Sequence, residues 1–150
     1  MTLAYLDANF LIRIVESPGH TLSGHERLWD MAGAGRISVV TSWLTLSEVL
    51  VVPMRDKEDG LVMAYQDLFA GQMVPITLID VSVDVLTSAA RLRARWPALK
   101  LPDAVHLASA EKADCDVFVS GDRRLRIADA PFVIDPDNDV DVDRYLTAIP

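Results

Sequence analysis

The sequence predicts an α/β protein: a three-layer α/β/α arrangement with a central, mostly parallel sheet of about five strands. Two observations predict it. Short apolar runs alternate along the whole chain with longer segments whose apolar residues recur at helical spacing. The runs are also continuously apolar, as strands are when both faces of a sheet are covered by right-handed helical crossovers.

Each element has its own local reason. Leu3 to Leu6 reads as the first strand and stops at Asp7. Asn9 to Val15 continues as a short helix with Phe10, Leu11 and Ile14 on one side. Ser17-Pro18-Gly19-His20 reads as a loop. Thr21 to Ala34 forms a helix with Leu22, Leu28, Trp29 and Ala32 near one face, and Gly33-Ala34-Gly35 ends it. Ile37 to Val40 is the second strand. Thr41-Ser42 then caps a helix that runs through Val51 and closes near Pro53.

Met54 to Gly60 reads as a charged loop, followed by a helix from Leu61 to Ala70 with Gly71 as its stop. The third strand spans Ile76 to Val81. Ser82 caps a helix that Trp96-Pro97 breaks. Pro102 suits the first turn of the next helix, which runs to about Ala113. Val117 to Val119 is the fourth strand, Arg123 to Ala128 a short helical turn, and Phe132 to Ile134 the fifth strand.

The 150 residues suit one domain, 1–150, with no linker or repeat. Apolar residues make up 51% and charged residues 24%, which is globular rather than disordered. Cys115 is the single cysteine, so no internal disulfide forms, and a reducing cytoplasm fits. No apolar run approaches the roughly 20 residues that cross a bilayer, and the first seven residues lack a signal-peptide pattern. The net charge of −8 does not suit a generic nucleic-acid binder. Either nucleic acid is not the substrate, or the acids include a metal site and the basic residues are placed locally.

Four carboxylates stand where a parallel sheet forms sites. Asp7 ends the first strand, and Asp122 follows the fourth in Val119-Ser120-Gly121-Asp122-Arg123. Both should therefore emerge at the same sheet edge. Glu48 interrupts an apolar helix face in Leu46-Ser47-Glu48-Val49, and Asp103 opens a helix in Pro102-Asp103-Ala104-Val105-His106. Taken singly, Asp7 reads equally as a helix N-cap, Asp103 as a complement to a helix dipole and Asp122 as a turn residue. Glu48 has no such reading, since an acid in an apolar stripe is costly unless paired. Acids within about 5 Å repel by several kcal/mol at an effective dielectric near 20, and a hard divalent cation offsets that. Oxygen donors without a histidine cluster favour Mg²⁺ or Mn²⁺ over Zn²⁺.

Leu6-Asp7-Ala8-Asn9, Leu46-Ser47-Glu48-Val49, the run Pro102 to Ala110 and Val119-Ser120-Gly121-Asp122-Arg123 resemble the successive acidic motifs of PIN-domain ribonucleases, nearest to VapC-type toxins of toxin–antitoxin pairs. The resemblance spans nearly the whole chain. It implies a PIN-like fold and a cleft holding Mg²⁺ or Mn²⁺. It also implies endonucleolytic cleavage of RNA by metal-activated water, a homodimer, and a cognate antitoxin whose tail enters the cleft. Carried over, Asp7, Glu48, Asp103 and Asp122 hold or position metal. Asn9 steadies Asp7 or the substrate at a place where a small hydroxyl is commoner, and Ser120 hydrogen-bonds near the site. The alternatives are a stand-alone RNA-processing nuclease and a non-catalytic PIN-like module that binds RNA or protein.

Among the basic residues, Arg123 is the leading phosphate candidate; at least half of Arg91, Arg93, Arg95, Lys100, Arg123, Arg124 and Arg126 read as a solvated face. His106 lies one helical turn from Asp103 and reads first as a core histidine. His20 and His25 read as loop and surface residues, and the three tryptophans as packing or dimer contacts. The tail Asp135 to Asp143 lacks the glycine and the glutamate of a calcium loop and reads as a solvated acidic segment, a docking surface for a basic partner. A glycine-rich dinucleotide loop and a phosphate-binding loop are both missing from the sequence.

Overall fold

The computed structural model describes residues 2–17 and 23–149. Most of the expected Ser17–His20 loop, the first two residues of the expected second helix and His20 lie outside them. The elements run β1 (Thr2–Leu6), α1 (Ala8–Glu16), α2 (Gly24–Gly33), β2 (Ile37–Ser42), α3 (Trp43–Arg55) and α4 (Asp59–Phe69). Then come β3 (Ile76–Ile79), α5 (Val83–Arg95), α6 (Leu101–Lys112), β4 (Val117–Val119), a 3₁₀ turn (Arg123–Leu125), β5 (Phe132–Ile134) and α7 (Asp139–Ala148).

Among the described residues the five strands form one sheet in the order β3-β2-β1-β4-β5. All four pairings are parallel. Alternation along each strand then sends apolar groups to both faces. Ala4, Leu6, Val39, Val117 and Val119 join one core with residues of α1 to α4 and α7. Tyr5, Val40 and Phe118 point the other way, onto α5 and α6. Tyr5 and Phe118 stack across adjacent strands, with centroids 4.8 Å apart. The three layers predicted from the apolar pattern are therefore present.

Three local expectations change. Pro53 does not close its helix; it lies buried in the last stretch of α3. The turns around it stay closed because the Asp56 N–H still donates to the Val52 carbonyl at 2.9 Å. Secondly, the charged loop over Met54–Gly60 shrinks to a link between α3 and α4, in which Lys57 takes a left-handed conformation (φ 58°). Thirdly, the acidic tail is not a free solvated segment. Asn138 caps α7 by accepting from the N–H groups of Val140 and Asp141, and Val142 and Tyr145 are buried under it. Asp141 and Asp143, two of its acids, pair with Arg126 and Arg27. Acidic residues in a first turn complement the helix dipole, so the charge run that suggested a loop is also a helix start.

Candidate functional site

The sheet order reverses direction between β1 and β4: the chain winds outward through β2 and β3 on one side and through β5 on the other. Such a switch point leaves a crevice at the carboxyl ends of the strands. Leu6 is in register with Val119, so Asp7 and Ser120, the next residues of each strand, leave the sheet side by side.

Asp7 is buried, and the helix-capping role anticipated for it is present. Its Oδ1 accepts from the Phe10 N–H at 2.8 Å and caps α1, while Ser120 hydrogen-bonds the same carboxylate. Burial raises its pKa above the ordinary carboxylate value, against the lowering effect of those two hydrogen bonds. Glu48, the sixth residue of α3, receives a hydrogen-bonding contact from His106 Nε2 at 2.7 Å. Asp103 lies in the first turn of α6, where Pro102 suits the helix start. Its pKa is also raised, first by desolvation and then by the charge of Asp122. Asp122 accepts from the Arg124 N–H at 2.9 Å and is clamped by the Arg124 guanidinium, with Nη2 at 2.6 Å. That clamp holds the Asp122 carboxyl below its usual range.

These four acids line a single pocket of about 80 Å³ together with Asn9, Ser120 and His106. Seven residues singled out in the sequence thus come together from the end of β1, α1, α3, α6 and the end of β4. Arg123 does not line this pocket; it is exposed at the start of the 3₁₀ turn, and its neighbour Arg124 is the cation that meets the acids.

The pocket suits a hard cation in its donor chemistry, since its acids supply oxygen donors. Their mutual charge also raises the pKa of Asp103 and adds to that of Asp7. As they stand, however, no three acid, histidine or cysteine side chains among the described residues converge on one point as a ligand set. Arg124 occupies Asp122, and His106 engages Glu48. Loading an ion would require Asp122 to exchange its guanidinium for the cation.

Two features were hidden in the sequence. His106 is buried and bridges Glu48 to the Tyr5 hydroxyl, which lies 2.8 Å from Nδ1. The i, i+3 spacing from Asp103 signalled its proximity, but nothing signalled Tyr5. His25, read as a surface residue, is buried within α2 and stacks on Phe10. The helix expected there already predicted a buried face; the ring was simply assigned to the wrong side of it.

Comparison with known proteins adds a family. No curated protein matches the chain in sequence. Among solved structures, the chain is similar in fold to a toxin–antitoxin complex from Klebsiella pneumoniae, with a TM-score of 0.63, 21% identity, and coverage of 89% of this chain and 97% of that one. It is similar to VapBC2 from Rickettsia felis bound to a promoter DNA fragment, with a TM-score of 0.68, 16% identity, and coverage of 88% and 97%. A third is Mycobacterium tuberculosis VapC20, described as a toxin that cleaves the sarcin–ricin loop, with a TM-score of 0.60, 17% identity, and coverage of 77% and 86%. The PIN domain family matches residues 4–131 in sequence, a span that includes all four acids of the pocket. On the strength of that match, the chain belongs to the PIN-domain family.

Proposed function

We propose that this protein is a metal-dependent endoribonuclease, with residues 1–150 acting as one catalytic domain and as the toxin of a toxin–antitoxin pair. The observation that carries the reading is the convergence of Asp7, Glu48, Asp103 and Asp122 from four elements on one small pocket at the sheet's switch point. Family membership and the toxin–antitoxin neighbours in fold support it.

In this reading Asp7, Asp103 and Asp122 hold Mg²⁺ or Mn²⁺ and Glu48 holds or positions it. Such an ion lowers the pKa of water and polarises a phosphoryl oxygen. The chain's own groups do the rest. Ser120 and the Phe10 N–H fix the Asp7 carboxylate, so it needs no reorganisation. His106 fixes Glu48. Asn9, exposed at the pocket rim, steadies substrate or Asp7. Arg124 balances Asp122 before an ion arrives, then is free for a phosphate, with Arg123 beside it. A cytoplasmic location and a homodimer accompany the toxin reading; no helix among the described residues is long and apolar enough to cross a membrane.

The test is cleavage of labelled RNA by the purified chain with Mg²⁺ or Mn²⁺. The wild type should cut, and Asp7→Asn and Asp103→Asn should each lose cutting. Full activity in both variants would overturn the site. A neighbouring open reading frame for a small protein with a DNA-binding head and a docking tail separates a toxin from a stand-alone nuclease.

A further inference from the structure

A second pocket opens directly beside the acidic one, and the two share Asp103. It holds about 280 Å³ and is walled by Trp96, Pro97, Ala98, Leu99 and Ile127, with Asp103 and Arg124 at its polar side. The lining is apolar except where it meets the acids. Its aromatic wall is preset: the Trp96 indole N–H donates to Asp129 Oδ2 at 2.8 Å, and the Arg95 guanidinium lies 5.9 Å from the ring centroid.

The charge around this slot runs against the chain as a whole. Half of the 14 Lys and Arg residues fall in the two segments 91–100 and 123–126, which carry its walls. Of these, Arg124 lines the slot, Arg93 donates to the Leu99 carbonyl of its wall at 3.1 Å and Arg95 lies over Trp96, next to four carboxylates. Cations placed for a phosphate backbone, an aromatic ring and a slot between them are the elements of a single-strand nucleic-acid site. The volume falls just under the roughly 300–1,000 Å³ of sites for drug-sized ligands, which suits one planar heterocycle.

We infer that the Trp96 slot receives one unpaired nucleobase of the RNA strand, adjacent to the phosphate addressed by Asp7, Glu48, Asp103 and Asp122. This deepens the nuclease reading and rests on it. Trp96 packs on the core as its sequence context suggested, and its remaining surface serves here as a base-binding wall. Arg124, which lines the slot and clamps Asp122 of the acidic pocket, marks the junction between base and phosphate. The substrate at this point is single-stranded, because a paired base cannot leave the helix to enter the slot without being unstacked.

Binding and cleavage test the two ideas separately. Fluorescence anisotropy of a labelled single-stranded RNA oligonucleotide, in chelator so that nothing is cut, reads affinity directly. Trp96→Ala should bind about 5- to 100-fold more weakly, and Trp96→Phe within about threefold of wild type. Ala98→Trp, on an exposed part of the wall, should weaken binding by filling the slot and keeps the test valid if Trp96→Ala does not fold. Walking a single abasic position along the strand should cost the wild type affinity at one position, and Trp96→Ala should show no further loss there. Equal affinity in all variants, or no binding by the wild type, overturns the slot; the first outcome leaves it to an apolar side chain of a protein partner. Trp96-dependent binding without cleavage in Mg²⁺ overturns the nuclease reading alone. Cleavage with Trp96-independent binding overturns the slot alone.

Discussion

His106 Nε2 lies 2.7 Å from Glu48 Oε2, tying the middle of α6 to the middle of α3 across the crevice. The other ring nitrogen meets the Tyr5 hydroxyl at 2.8 Å, so one buried imidazole joins a strand and two helices. His106→Ala should therefore lower stability by about 1–3 kcal/mol, the cost of leaving buried polar groups short of partners. Denaturant unfolding measures it. Cleavage should also fall, since Glu48 loses the group that aims it.

Asp7 is a carboxylate kept where water would suit it better. Its folded pKa is raised, so protonation favours the folded state: the stabilisation is full below the unfolded value and is lost as pH rises through the folded one. Asp7→Asn keeps a good cap for α1 and removes the charge. The variant should be more stable than wild type at neutral pH, with the difference shrinking toward acid, and inactive throughout. Melting curves across pH check the first expectation, and RNA cleavage the second.

In the proposed site, Arg124 and a metal ion compete for Asp122. Arg124→Ala should raise the Asp122 pKa toward its ordinary value, because the guanidinium is the main cause of its depression. It should also tighten Mg²⁺ binding severalfold and weaken RNA binding. Carboxyl chemical shifts followed through a pH titration, with calorimetric metal titration, read the two effects.

Gly24 begins α2 where that helix meets α7. A methyl group there would fall against the Pro136 carbonyl oxygen and the Val142 side chain. Gly24→Ala should destabilise by about 1–3 kcal/mol through overpacking, without changing the acidic pocket. Thermal unfolding tests it.

Burial pushes the Cys115 thiol up to about 12. Thiol reagents at pH 8 should leave it unmodified in the native protein and label it rapidly in denaturant. Fast labelling of the folded chain would contradict the burial.

The sequence made the layers legible because strands buried on both faces are apolar throughout, and β1 and β4 are such strands. It made the acids legible because strand ends and helix starts are readable from local signals, so Asp7, Asp103 and Asp122 could be placed from their neighbours in the chain alone. Which cation faces them was not readable. Arg123 and Arg124 are adjacent, and only the geometry of the 3₁₀ turn aims Arg124 at Asp122. The Tyr5–His106 bond joins residues 101 positions apart, and no local pattern carries that. α7 was missed because its acids look like solvent-facing punctuation, whereas its buried residues, Val142 and Tyr145, are only two.

Of the five described strands, β1 comes first in the chain and lies in the middle of the sheet. The β2 residues that pair with β1 follow about 35 positions later in the chain, whereas those of β4 on its other edge lie more than 110 positions later. Until these are made, Asp7 faces no Ser120 and no Asp122. A nascent chain therefore carries the opening half of the pocket on an unfinished edge, and the pocket closes only once β4 and the turn after it have been made. In the proposed ribonuclease, this order of strands acts as a delay built into the topology.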